Sequence, residues 1–185
     1  MRASSGLVVR LALGAAFVTG AVSAHRTEHY LQAARIALEP DSASIDLDLT
    51  PGIDVAESFI AALDRDRDGS LSIEEQREYA RRVLGALQIE LDSRRLQPRV
   101  LACSFPDLPA LRRGEGTLRL RVQATLARQV APGSHRLLFR NAHLAGHSAY
   151  LANALVPEST RVSVTAQRRA GDQSELAIEY TVSTD

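Results

Sequence analysis

Apolar and polar residues alternate with a period of two over much of the chain. Ile45, Leu47 and Leu49 interleave with Ser44, Asp46 and Asp48, and Leu118, Leu120, Val122 and Ala124 with Arg119, Arg121 and Gln123. Val162, Val164 and Ala166 repeat the pattern, as do Leu176, Ile178 and Tyr180. Successive side chains of a strand point to opposite faces, so this alternation predicts strands with one buried and one wet face. Further strand candidates are Arg35–Leu38, Gln88–Leu91, Arg99–Ser104 and His135–Phe139. Pro106, Pro109, Gly114, Gly116, Pro132-Gly133 and Gly171-Asp172 punctuate them.

The period changes after the second strand. Val55, Phe59, Ile60 and Leu63 recur at offsets of four, five and eight, which places them on one face of a helix. Tyr79, Val83, Leu84 and Leu87 repeat those offsets. The expected fold is therefore α+β: a mainly antiparallel β-sandwich with a helix pair inserted at about residues 54–87. A helix pair this short cannot cover its own apolar faces, so one domain over residues 25–185 is expected, with the pair docked on the sheets. Tyr150, Leu151, Leu155 and Val156 are expected in its core.

Between the two helices the sequence reads DRDRDGSLSIEE, from Asp64 to Glu75. Calcium is a hard cation that takes six to eight oxygens, and this spacing supplies them in the EF-hand order. Asp64, Asp66 and Asp68 stand at loop positions 1, 3 and 5, and Gly69 takes the sharp turn at position 6. Ser70 offers its backbone carbonyl at position 7, Ser72 acts through a water at position 9, and Glu75 closes the site with both carboxylate oxygens. A bidentate Glu75 favours calcium over the smaller magnesium. Ser72 and Glu75 also form an S-x-x-E capping box for the second helix. EF-hand loops usually pair through position 8, yet Leu71 has no second loop to meet, because neither Asp41, Asp46 and Asp48 nor Asp172 has the spacing.

The N-terminal residues have the form of a secretory signal peptide. Arg2 and Arg10 precede the apolar run Leu11–Val22, and Val22-Ser23-Ala24 fits the small-x-small cleavage pattern. Cleavage after residue 24 would leave His25 first and a net charge of −2, because residues 1–24 hold two arginines and no acid. No later segment is apolar for long enough to span a bilayer, so no membrane span is expected after cleavage. The whole chain carries 22 basic residues, all arginine, against 22 acidic ones, so no net field draws it to nucleic acid. Without lysine, Schiff-base chemistry and P-loop phosphate binding are excluded.

Cys103 is the single cysteine, which rules out an internal disulfide, and beside Phe105 it reads as a small buried hydrophobe. His143 and His147 lie four apart, but Gly146 between them favours a loop with solvated imidazoles over a metal pair on a helix. His25, with a free α-amino group after cleavage and His29 nearby, offers a second way to chelate copper or nickel. Gly146-His-Ser148-Ala-Tyr150 begins like a nucleophile elbow but lacks the second glycine, so no catalytic role is expected.

On the motif of residues 64–75, residues 55–84 resemble an EF-hand of the wider calcium-binding superfamily. More loosely, the region after residue 24 resembles the extracytoplasmic N-terminal domains of HupE/UreJ-like and nickel/cobalt exporter-like membrane proteins. That similarity rests on the His25 start, the apolar-acidic strand before the calcium loop, and the later Phe139-Arg140-Asn141. The resemblance implies an exported, periplasmic or extracellular calcium-binding structural or interaction domain with a membrane-protein or envelope partner. The resemblance carries over no transport function; the alternative reading is a periplasmic accessory module for transition-metal handling or transport.

Overall fold

A computed structural model describes residues 28–126 and 128–184 of the chain. The expected signal segment and His25 lie outside those residues. The chain enters as β1 (Tyr30–Glu39), turns at Pro40-Asp41 and returns as β2 (Ser42–Pro51). Both strands alternate strictly between buried and partly exposed positions, which puts Ile36 opposite Ile45 and Ala34 opposite Leu47 on one inward face. A single turn of 3-10 helix (Ile53–Val55) then leads into α1 (Ala56–Leu63), and α2 (Ile73–Gly85) follows the loop. The remaining elements are β3 (Leu87–Leu91), β4 (Arg94–Arg95), β5 (Pro98–Ser104), α3 (Leu108–Arg112), β6 (Leu118–Thr125), β7 (Gly133–Asn141), β8 (Ser148–Ala154), β9 (Val162–Arg169) and β10 (Glu175–Val182).

These strands make two sheets, in the orders β5-β6-β2-β1-β8 and β4-β3-β7-β10-β9. All described pairings are antiparallel except β1 with β8, which run parallel. The fold is therefore a β-rich α+β fold with the helix pair between β2 and β3. Inward residues of both sheets share one buried apolar cluster with Phe59, Ile60 and Leu63 of α1 and Tyr79, Ala80 and Val83 of α2. Burying each large side chain of this kind contributes about 1.5–3 kcal/mol, enough to hold two short helices that would not persist alone. Tyr30, Phe59 and Tyr79 follow one another along the contact, the first pair tilted and the second edge-to-face, with ring centroids 5.5 and 5.4 Å apart.

Where β8 and β9 bring the two sheets together, side chains supply the missing ladder. Gln167 accepts from Ala154 N at 3.0 Å, and Arg169 donates from Nε to Ala152 O at 2.9 Å. The β8 edge is thus covered, which removes a template for pairing with another chain.

Three expectations fail here. Cys103 is exposed, not buried, because β5 is an edge strand with a bulge between Val100 and Ala102 that shifts the register beyond it. Leu151, Leu155 and Val156 are 42%, 39% and 90% exposed, although Tyr150 is buried as expected. Their largely apolar stretch, broken only by Asn153, obscured the period of two: within β8 only Tyr150 and Ala152 are buried, and Leu155 and Val156 lie past the strand end. The third concerns His143, whose surroundings belong with the site.

Candidate metal centre

Asp64 ends α1, its N–H donating to Ile60 O at 2.8 Å, and burial of Leu63 in the core draws it inward. Its side chain is only 6% exposed. Oδ2 accepts from Gly69 N at 3.0 Å, whereas Oδ1 is buried with no hydrogen-bond partner. An unsatisfied buried acceptor costs on the order of 1–3 kcal/mol, and more when it is charged. Asp66 and Asp68 are exposed, and one carboxylate oxygen from each of the three aspartates lies within 4.8 Å of the others. At that spacing each ionised pair repels by about 1 kcal/mol in water-like screening and about 3–4 kcal/mol at the dielectric of a protein surface.

The backbone is bent to bring this about. Asp68 N donates to Asp66 Oδ1 at 3.2 Å and Ser70 N to Asp68 Oδ1 at 2.7 Å. Arg67 and Gly69 take left-handed conformations, with φ of +60° and +84°. Glycine adopts this region freely, while Arg67 is held in it against the usual steric preference.

Ser72 is the N-cap of α2, and Glu75 completes the capping box. Glu75 Oε2 accepts from Ser72 N at 3.0 Å and from Ser72 Oγ at 2.8 Å, and Oε1 accepts from Arg65 N at 2.7 Å. The Ser72 hydroxyl first, then the Ser72 and Arg65 N–H groups, hold the Glu75 carboxyl below the usual glutamate range. The structure thus brings Asp64, Asp66 and Asp68 together, while Glu75 and Ser72 are engaged at the helix cap and Ser70 stands beside Asp68. Leu71 packs against the core, with its carbonyl accepting from Gln76 Nε2 at 3.0 Å.

The exit helix is tied to the sheets by a hydrogen-bond network that sequence patterning did not reveal. The hydroxyl of Tyr79 shares a 2.8 Å hydrogen bond with Nε2 of His143, which is 6% exposed and not solvated as expected. Asn141 Oδ1 accepts from His143 N at 2.9 Å, and Asn141 Nδ2 donates to Gln32 Oε1 at 2.8 Å. Gln32 Nε2 and Tyr150 OH both donate to His143 O, at 2.7 and 2.8 Å. Burial, and then the nearby charge of Arg82, push the His143 imidazole down to about 4. The loop placing His143 inward turns through left-handed Leu144 and Gly146 and leaves His147 exposed, so the two imidazoles form no pair. Ser148, the would-be nucleophile, donates to Leu144 O at 3.1 Å and accepts from Gln32 Nε2 at 2.7 Å.

The three aspartates are the one group of potential metal ligands among the described residues. No described helix is long and apolar enough to cross a membrane. Comparison with protein families, curated proteins and solved structures gives no match.

Proposed function

We propose that this chain binds one calcium ion in the loop Asp64–Glu75, and that the loop with α1 and α2 is a single EF-hand inserted into a β-sandwich. The observation that carries this reading is Asp64 Oδ1: a buried carboxylate oxygen with no donor, in a cluster of three carboxylates. An all-oxygen donor set fits a hard cation, and a cation removes both the orphaned acceptor and the mutual repulsion. Asp64, Asp66, Asp68 and the Ser70 carbonyl would hold the ion, with Ser72 reaching it through a water. Glu75 would give up Arg65 N and Ser72 to supply its two oxygens.

The role is structural. Calcium ties the entry and exit helices to each other, and their buried faces tie both to the sheets. The chain is read as an exported, non-catalytic structural or interaction domain with an envelope or membrane-protein partner. At calcium about ten times the dissociation constant, the ion adds about 1.4 kcal/mol. For a domain of this size that raises the melting temperature by about 3–5 °C.

Calorimetry on residues 25–185, beside Asp64→Asn and Glu75→Gln, with a thermal melt of each, tests the proposal. One calcium site, weakened in both variants and accompanied by that rise in the parent, is the expected result. No binding up to several millimolar calcium, or unchanged binding in Asp64→Asn, would overturn it.

A further inference from the structure

At the end of the sheets away from the helix pair lies a second, unrelated site. The turn between β3 and β4 and the segment after β6 enclose a groove of about 650 Å³. Leu126 N and Val130 N donate to Asp41 O and Pro40 O, at 2.8 and 2.7 Å, so the wall after β6 is fixed to the β1–β2 turn. Asp92 and Ser93 form the opposite turn, both with positive φ. His135 spans the two walls, Nδ1 lying 2.7 Å from Asp92 Oδ2 and Nε2 2.8 Å from Ala131 O.

The chemistry of the groove is divided. Leu96, Leu126 and Val130 line it and pack against the core cluster, giving an apolar floor that continues inward. Arg94, Arg95 and Arg128 line it as well, and none of their guanidiniums makes an ion pair or hydrogen bond with a described residue. Arg95 stands opposite Glu90 in the β3–β4 register, but their side chains form no ion pair. The one acid in the lining, Asp92, has both oxygens occupied, Oδ1 by Arg136 N at 2.9 Å and Oδ2 by His135. By contrast, Arg35, Arg119 and Arg121 on the outer sheet face each meet Asp46 or Asp48. Three unmatched guanidiniums above an apolar floor are complementary to a ligand with the same division.

We infer that this groove binds a small amphipathic anion, an alkyl chain bearing a carboxylate, with the head on Arg94, Arg95 and Arg128 and the chain on Leu96, Leu126 and Val130. The volume suits a ligand of that size rather than a folded partner. Guanidinium–carboxylate hydrogen bonds are the strong, charge-assisted kind, so loss of one guanidinium weakens binding by roughly tenfold or more.

The test is an NMR titration of residues 25–185 with decanoate below its micelle concentration, beside decyl maltoside and inorganic phosphate. Saturable decanoate binding that shifts the amide signals of Leu96, Leu126 and Val130 is expected. Arg94→Gln and Arg128→Gln should each weaken it about tenfold, and Arg81→Gln on α2 should leave it unchanged. All three sites are exposed, and an unchanged melting temperature shows that each variant is folded. Equal binding of decyl maltoside, equal binding of inorganic phosphate, or decanoate binding indifferent to Arg94 and Arg128 would each overturn the inference, as would no binding.

Discussion

His143 makes the stability of this protein depend on pH in a way that can be isolated. The imidazole is buried against Tyr79, with its backbone N–H held by Asn141, and there desolvation penalises its charged form and Arg82 penalises it further. Its value falls from 6.5 to about 4, whereas in the unfolded chain it titrates normally. Above pH 6.5 both states carry neutral histidine and the group has no effect on the pH slope. Between pH 6.5 and about 4 the unfolded state binds one more proton than the native state, so stability falls as pH falls. The slope is about 1.4 kcal/mol per pH unit, and the loss over the whole window is about 3 kcal/mol.

Carboxylates titrate in the same range, and His143→Gln separates them, because it keeps a polar side chain and removes the one titrating ring, so any constant loss from the Tyr79 contact leaves the pH slope unaffected. Urea unfolding followed by far-UV circular dichroism at pH 7, 6, 5 and 4 gives both profiles. The parent should lose about 3 kcal/mol more than the variant across that range. An NMR titration of the ring should show no protonation near pH 6.5. Parallel profiles for the two proteins, or a ring that titrates like a solvated histidine, would refute the reasoning.

Two further outcomes follow from local geometry. Ser72→Ala removes the N-cap acceptor of α2 and one donor to Glu75, so calcium-free stability should fall by about 1 kcal/mol in urea unfolding. The Glu75 carboxyl should move back toward the ordinary glutamate range in an NMR titration of its side chain; no movement would mean that Ser72 does not hold it. Cys103, exposed on β5, should react with Ellman's reagent in the native protein at close to the rate of a peptide thiol. A reaction that waits for denaturant would place the thiol in the core after all.

Strands were legible in the sequence wherever one face is buried and the other wet, which is why β2, β6 and β10 stand out. β1 reads as strand only from Arg35, because Gln32 occupies an inward position. A buried amide looks like a surface residue until its partners, Asn141 and His143, are known, and both lie more than a hundred residues away. β8 was hidden by small residues and by Leu151, Leu155 and Val156, whose apolar character is not matched by burial. α3 was read only as punctuation, although Asp107 caps it with an acceptor for Ala110 N at 2.6 Å and Pro109 occupies its first turn, where no N–H is needed. The three aspartates were legible because residues clustered within one loop follow one another in sequence. The His143 anchor was not, because its partners come from β1, β7, β8 and α2, and no linear spacing records that convergence.

The parallel pairing of β1 with β8 sets an order in time. A hairpin closes within a few residues, but Gln32 must wait for Ser148, 116 residues later, before that side of β1 has its neighbour. Emergence of the chain from its N-terminal end therefore leaves both edges of the β1–β2 hairpin bare until β6 follows, and the β1 edge bare until β8. For that interval the hairpin is the part of the molecule most open to a wrong strand, and a holding chaperone would do its work there.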